Sequence, residues 1–133
     1  VMRSTRVNDE RGAITVWTAA VLTGFVLIVG IGVDFAGQVK AAQEARGVAV
    51  EAARVGGEHL GMPDGRVSPD TSVGKQAAEK YVAASRFKGT ARVNSSGVVE
   101  VQVTGEYRCL FLNVIGITTL PVTAKGTSDV ILD

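Results

Sequence analysis

Residues 12–33 read GAITVWTAAVLTGFVLIVGIGV, a run of 22 residues without a charged side chain. As a helix rising about 1.5 Å per residue, the run is roughly 33 Å long, which matches the ~30 Å hydrocarbon core of a bilayer. It is apolar on every side, and the rest of the chain is too short to wrap such a helix, so we predict a transmembrane helix rather than a buried core helix. A cleaved signal peptide is a further alternative, but its apolar region is normally about 7–15 residues, and residues 34–37 form a poor cleavage signal.

The flanks of this run predict its orientation. Three arginines precede it within residues 1–11, whereas Lys40 is the nearest basic residue on the other side. Basic residues stay in the cytoplasm, so we expect a cytoplasmic N-terminus and an exported C-terminal part. Trp17 lies within the first two turns of the predicted helix and is a candidate interfacial anchor, with a lipid-facing aromatic as the alternative.

Residues 34–55 continue the helical pattern without a proline. We therefore predict one helical rod that Gly56 and Gly57 end, followed by a loop over residues 56–70. Its second half has an apolar stripe, formed by Phe35, Val39, Ala42, Ala45, Ala49, Ala52 and Val55. Such a stripe needs a cover, either the chain's own C-terminal part or neighbouring copies.

Residues 71–133 predict a small exported head. Thr71 or Ser72 caps a second helix that runs to about Phe87, and Gly89 closes it. The predicted core face of that helix is Val73, Ala77, Tyr81, Ala84 and Phe87.

Alternating patterns then predict strands over residues 91–93, 98–108 and 121–132, with a turn at 94–97 and an apolar connection over 110–120. The inward positions are Val99, Val101, Val103 and Tyr107 in the second strand and Val122, Ala124, Ser128 and Val130 in the third. The predicted fold class is α+β: a long N-terminal helix, then one helix on a roughly three-stranded antiparallel sheet.

Composition argues against several functions. The chain of 133 residues is 46% hydrophobic with a mean hydropathy of +0.23. Its net charge of +1 argues against nucleic-acid binding. With one cysteine and His59 as the one histidine, no metal site, cofactor site, small-molecule substrate or catalytic residue is predicted, and we expect no enzyme. Cys109 is expected to be buried rather than paired between chains.

Three positions suggest contacts at the membrane. Gly32 and Ala36 lie four residues apart, a spacing that lets another helix approach closely. Asp34 follows the apolar run and has three interpretations: a cap, a pair with an arginine on a neighbour, or a carboxylate that meets water. Asn94, Ser95 and Ser96 fit a glycosylation acceptor, but we interpret them as a hairpin turn.

The sequence resembles a known family in its first part. The residues that carry the resemblance are DERGAITV at 9–16, VDFAG at 33–37, AQ at 42–43 and EAAR at 51–54. They are similar to the Tad (tight adherence) pilus-assembly proteins of the TadE/TadG type, above all to small actinobacterial versions. In that family an ERG step opens the membrane helix, a VDxG step closes it, and an Ala-rich helix follows.

The resemblance implies a single-pass protein of the bacterial cytoplasmic membrane, in contact with lipid and with other pilus-assembly subunits or itself. It would act as a minor pilin-like or accessory subunit of Flp-type pili. Some relatives are cut after a glycine with a glutamate at the fifth position beyond it; here the candidate processing site is Gly12–Ala13 and the fifth residue is Trp17. That departure favours an uncleaved, TadG-like protein. The alternative function is an anchored extracytoplasmic binding or sensing domain unrelated to pili.

Overall fold

The computed structural model describes residues 4–62, 65–66 and 68–128, with side chains from Glu10 onward. Its elements are α1 Ser4–Leu60, α2 Thr71–Ala83, β1 Lys88–Val93, β2 Val99–Arg108, a 3₁₀ helix Leu112–Ile115, and β3 Thr119–Thr127. The described part of the chain divides into two compact units: residues 4–36 with 109–118, and residues 37–108 with 119–128. The α+β class is confirmed.

The N-terminal unit contains the apolar part of α1. Within the described residues, this helix is the one long and apolar enough to cross a membrane, and 6% of its most apolar window is buried. The large side chains are exposed on all sides, for example Trp17 at 70%, Phe25 at 63% and Ile28 at 71%. A buried core helix is therefore the wrong interpretation, and the helix fits a single-pass membrane protein.

The second unit is built on the alanine-rich part of α1. Its core combines small residues of α1 with valines of the sheet: Ala41, Ala45, Ala49, Ala52, Ala53, Val99, Val101, Val103 and Val122. Gly126 of β3 lies against the backbone at Ala49, so the strand approaches the helix directly. The stripe is thus covered by the chain's own sheet. Two predicted members are wrong, since Phe35 is 53% and Val39 56% exposed.

The predicted end of the long helix is also wrong. α1 runs through Gly56 and Gly57 to Leu60. Gly56 is buried, and a Cβ built there would lie 2.9 Å from the carbonyl oxygen of Gly74 and 3.1 Å from the Ala78 methyl. This glycine therefore permits a close approach of α2 instead of providing a left-handed helix end.

The second helix starts where predicted, but its details differ. Its N-cap is Asp70, whose Oδ1 accepts a hydrogen bond from Ser72 N at 3.1 Å, so neither Thr71 nor Ser72 is the cap. The helix ends at Ala83 rather than near Phe87, and Gly89 lies inside β1.

The buried face of α2 is displaced by one residue from the prediction, because glycine at 74 lets the helix lie close to α1. Its buried residues are Gly74, Ala78 and Val82. Val73 and Tyr81 are exposed, at 42% and 39%. Of the other predicted members, Ala77 is half-buried, Ala84 is exposed and Phe87, beyond the helix, is buried.

The three strands form an antiparallel sheet in the order β1-β2-β3. The turn at 94–97 is confirmed: Asn94 Oδ1 accepts from Ser96 N and Val98 N, both at 2.9 Å. The predicted inward face of β2 is confirmed, with three valines buried and Tyr107 half-buried.

The outer strands differ from the prediction in their bounds. β1 begins at Lys88 rather than 91, and β3 covers Thr119–Thr127 rather than 121–132. Among the predicted inward positions of the third strand, Val122 is buried, Ala124 and Ser128 are half-buried, and Val130 lies outside the described residues.

Candidate functional site

The most unusual side chain of the N-terminal unit is Asp34, which directly follows the uncharged run and is completely buried, with 0% exposure. Its Oδ1 accepts a hydrogen bond from the backbone N–H of Leu110 at 2.8 Å. Its Oδ2 accepts from Phe111 N at 2.9 Å and Leu112 N at 2.6 Å. Three donors to one carboxylate are the arrangement that stabilises a buried negative charge, because charge-assisted hydrogen bonds replace the lost water.

The residues that bind Asp34 belong to a closed loop between β2 and β3, residues 109–118. Cys109 N donates to Thr118 O at 2.9 Å and closes its base, while Ile117 N donates to Leu112 O at 3.1 Å across it. The 3₁₀ helix Leu112–Ile115 is followed by Gly116, whose φ of 93° is a conformation that glycine adopts without strain. The loop is therefore compact and internally bonded.

A second contact joins this loop to α1 one turn before Asp34. The ring of Phe111 packs on Gly30, which is buried, and a Cβ built at Gly30 would lie 2.8 Å from Cγ and Cδ1 of that ring. Real Cβ atoms do not approach so closely. Glycine at this position thus provides the space for the aromatic ring on the helix surface.

The outer surface of the loop is mostly apolar, with Asn113 and Thr118 as its exposed polar side chains. The exposed fractions are 68% for Leu110, 45% for Phe111, 83% for Val114, 64% for Ile115 and 42% for Ile117. Residues 109–121 contain no charged side chain. A contiguous exposed apolar surface of this kind marks a contact with a protein or a membrane.

Cys109, at the base of the loop, is buried as predicted. Burial raises the pKa of its thiol above the ordinary value, and the negative charge of Asp34 raises it further. The thiol therefore stays protonated and is a weak nucleophile at neutral pH.

The structure settles one of the three interpretations of Asp34: the carboxylate does not meet water, since it is buried and bonds to backbone amides. The other predicted membrane residues lie along α1 without converging on a site. Trp17 is 70% exposed, and Gly12, Ala13, Gly32 and Ala36 are exposed as well. Nothing lies within 4 Å of a Cβ built at Gly32, so that surface is open to another helix.

The sequence pointed to Asp34 but missed its partners. Backbone amides cannot be recognised from residue types. A glycine within an apolar helix gives no sequence signal that an aromatic ring packs on it. The available signal was the apolar composition of residues 110–120, which has no alternation and so differs from the strands on either side. Among the described residues, no group of three or more His, Cys, Asp and Glu side chains is placed to hold a metal ion.

No protein-family model, curated protein or solved structure matches the chain.

Proposed function

We propose that the chain is a non-enzymatic, single-pass membrane protein of the bacterial cell envelope, with its N-terminus in the cytoplasm and its head outside. We further propose that it serves Flp/Tad pilus assembly as a minor pilin-like or accessory subunit. The resemblance of residues 9–55 to the TadE/TadG type supports the second statement, and the arginines before the span support the orientation.

The observation that carries the proposal is that the two halves of α1 have different surroundings. Residues 12–33 are uncharged and almost entirely exposed, whereas the alanines from 41 to 53 are the buried spine of the α+β unit. One continuous helix thus has a half that suits lipid and a half that forms the core of the α+β unit, which in this proposal is the exported head. A structural subunit of an envelope assembly needs this combination, which anchors and displays a head without any catalytic site.

Two of the three threonine hydroxyl groups in the uncharged run support a position in lipid. Thr15 Oγ1 donates to Arg11 O at 2.9 Å, and Thr23 Oγ1 donates to Ala19 O at 2.8 Å. Hydroxyls bonded to the carbonyl four residues earlier do not need water, so they can lie in hydrocarbon. In this proposal, Gly32 and Ala36 mediate lateral association with another subunit's helix.

The anchor is tested by fractionation of cells that make the chain. The full chain should stay with the membrane pellet after a carbonate wash, and a variant lacking residues 12–33 should be released. A released full chain, or a mature N-terminus beyond Gln38, would overturn the anchor. An N-terminus upstream of Gly12 supports the uncleaved TadG-like form, whereas one at Ala13 supports processing and a place in the filament.

The pilus role is tested separately in the bacterium that encodes the chain. Deleting the gene should reduce surface filaments counted by electron microscopy, and the full chain supplied in trans should restore them. Unchanged piliation, with the protein still anchored in the membrane, would contradict the pilus role and favour an anchored binding or sensing domain.

A further inference from the structure

We infer that the apolar loop, residues 109–118, is a second membrane contact: it inserts into the leaflet around the end of the α1 span, and its partner is lipid. The inference rests on the proposed anchor, because it takes residues 12–33 as the membrane-crossing segment. It adds an interfacial insertion that the anchor alone does not require.

The depth of the loop follows from its contacts with α1. Phe111 packs on Gly30, which lies three residues, or about 4.5 Å, before the last residue of the uncharged run. Asp34, which binds the amides of residues 110–112, comes one residue after that run. If the run spans the bilayer, the ring of Phe111 lies at the depth of the hydrocarbon edge and the loop backbone lies at the headgroup boundary.

The side chains of the loop suit that depth. Leu110, Val114 and Ile115 are each more than 60% exposed, and Val114 reaches 83%. Exposure of these groups to water costs free energy, and neither the loop nor residues 12–33 contain a charged side chain that would oppose their burial in lipid. A lipid partner covers both surfaces together, since the loop lies directly on the helix.

Insertion also requires that backbone polar groups find partners inside the protein, and the structure gives such partners to seven of the ten N–H groups of residues 109–118. Asp34 accepts from three amides. Four more donate within the loop: Cys109 to Thr118 O, Val114 to Phe111 O, Gly116 to Asn113 O and Ile117 to Leu112 O, at 2.9–3.1 Å. Asp34 acts here as a positioning residue, because its buried carboxylate replaces the water that an open loop would need.

The test uses tryptophan fluorescence of the full chain in phosphatidylcholine–phosphatidylglycerol vesicles. Trp17 is the one tryptophan, so the parent protein reports on the span itself. A Trp17→Phe background then carries Val114→Trp at the exposed tip of the loop. The matched control is Tyr81→Trp in the same background, at an exposed position on α2. Quenching by dibrominated phosphatidylcholine and by aqueous acrylamide is measured for each protein.

We expect the Val114→Trp emission to be blue-shifted, quenched in bromolipid vesicles and protected from acrylamide. The Tyr81→Trp emission should not be blue-shifted, and acrylamide rather than bromolipid should quench it. Acrylamide quenching of Val114→Trp, with Trp17 quenched by bromolipid in the parent, would overturn the loop insertion and leave the anchor standing. Protection from both quenchers that disappears on dilution with lipid would overturn it in favour of a second copy of the chain. A parent Trp17 that bromolipid does not quench would remove the anchor and the insertion together.

Discussion

Replacing Asp34 by asparagine should release the loop over residues 109–118 from α1. The carboxylate holds three backbone donors, one on Oδ1 and two on Oδ2. An amide keeps a single acceptor oxygen. If that oxygen serves Phe111 and Leu112, the amide NH₂ opposes the Leu110 N–H, and a buried donor without a partner costs about 1–3 kcal/mol.

The two remaining bonds also weaken, because hydrogen bonds to a charged group are worth about 1.5–3 kcal/mol and neutral ones about 1 kcal/mol. Together with the unpaired Leu110 N–H, the loss is about 2–7 kcal/mol of local stability. Since each 1.4 kcal/mol is a factor of ten, amide exchange of Leu110, Phe111 and Leu112 should accelerate by at least roughly thirtyfold.

Hydrogen exchange with mass spectrometry on the full chain in bilayer nanodiscs measures this effect through peptides from residues 109–118. Asp70→Asn is the matched control, since Asp70 is exposed and its Oδ1 accepts a single backbone donor at the start of α2. Asparagine caps a helix as well as aspartate does, so exchange near residue 72 should change little and the loop not at all. If the loop amides of Asp34→Asn stay as protected as in the parent protein, the carboxylate of Asp34 does not hold the loop.

Three further predictions concern packing and titration. Gly30→Ala should displace the Phe111 ring, which lies 2.8 Å from the new Cβ, and lower the free energy of unfolding by about 1–3 kcal/mol. Gly32→Ala, whose Cβ meets nothing within 4 Å, should leave the loop in place. Hydrogen exchange of peptides from residues 109–118 distinguishes the two variants. Gly56→Ala should lower the free energy of unfolding, measured with denaturant, by about 1–3 kcal/mol, because its Cβ would lie 2.9 Å from a carbonyl oxygen. Gly47→Ala, at a helical position with open space, should raise it by about 0.5–1 kcal/mol. Equal effects of the two variants would contradict the close packing of α1 and α2. Because the pKa of Cys109 is raised in the folded protein, the unfolded thiol ionises first as pH rises. The contribution of the thiol to stability is therefore present below the ordinary thiol pKa of about 8.5 and is lost as pH rises through the folded pKa. If the free energy of unfolding falls with alkaline pH equally in the parent protein and in Cys109→Ala, this prediction is wrong.

The sequence alone determined the parts of the fold that repeat along one element. The uncharged run over residues 12–33 needs only its own length and composition to predict a spanning helix. The alternation of Val99, Val101 and Val103 predicts a strand with one buried face, and the turn at Asn94 has its own local hydrogen bonds. These signals are local, so they can be recognised without knowledge of how the helices and strands pack together.

Tertiary contacts decided those features of the helices that local sequence patterns left open or predicted wrongly. Gly56 lies inside α1 where α2 packs closely against it, and the buried face of α2 contains Gly74 and Ala78 instead of the predicted Val73 and Ala77. The open question about the alanine stripe was decided by the sheet that covers it.

The partners of Asp34 lie 76 to 78 residues away along the chain and are backbone amides, which every residue except proline carries. No residue-type pattern can identify such donors. A buried carboxylate is costly on its own, and only the folded loop supplies the hydrogen bonds that make it stable. The sequence therefore placed a charge at the end of an apolar run, and the tertiary structure alone decided that this charge holds a loop.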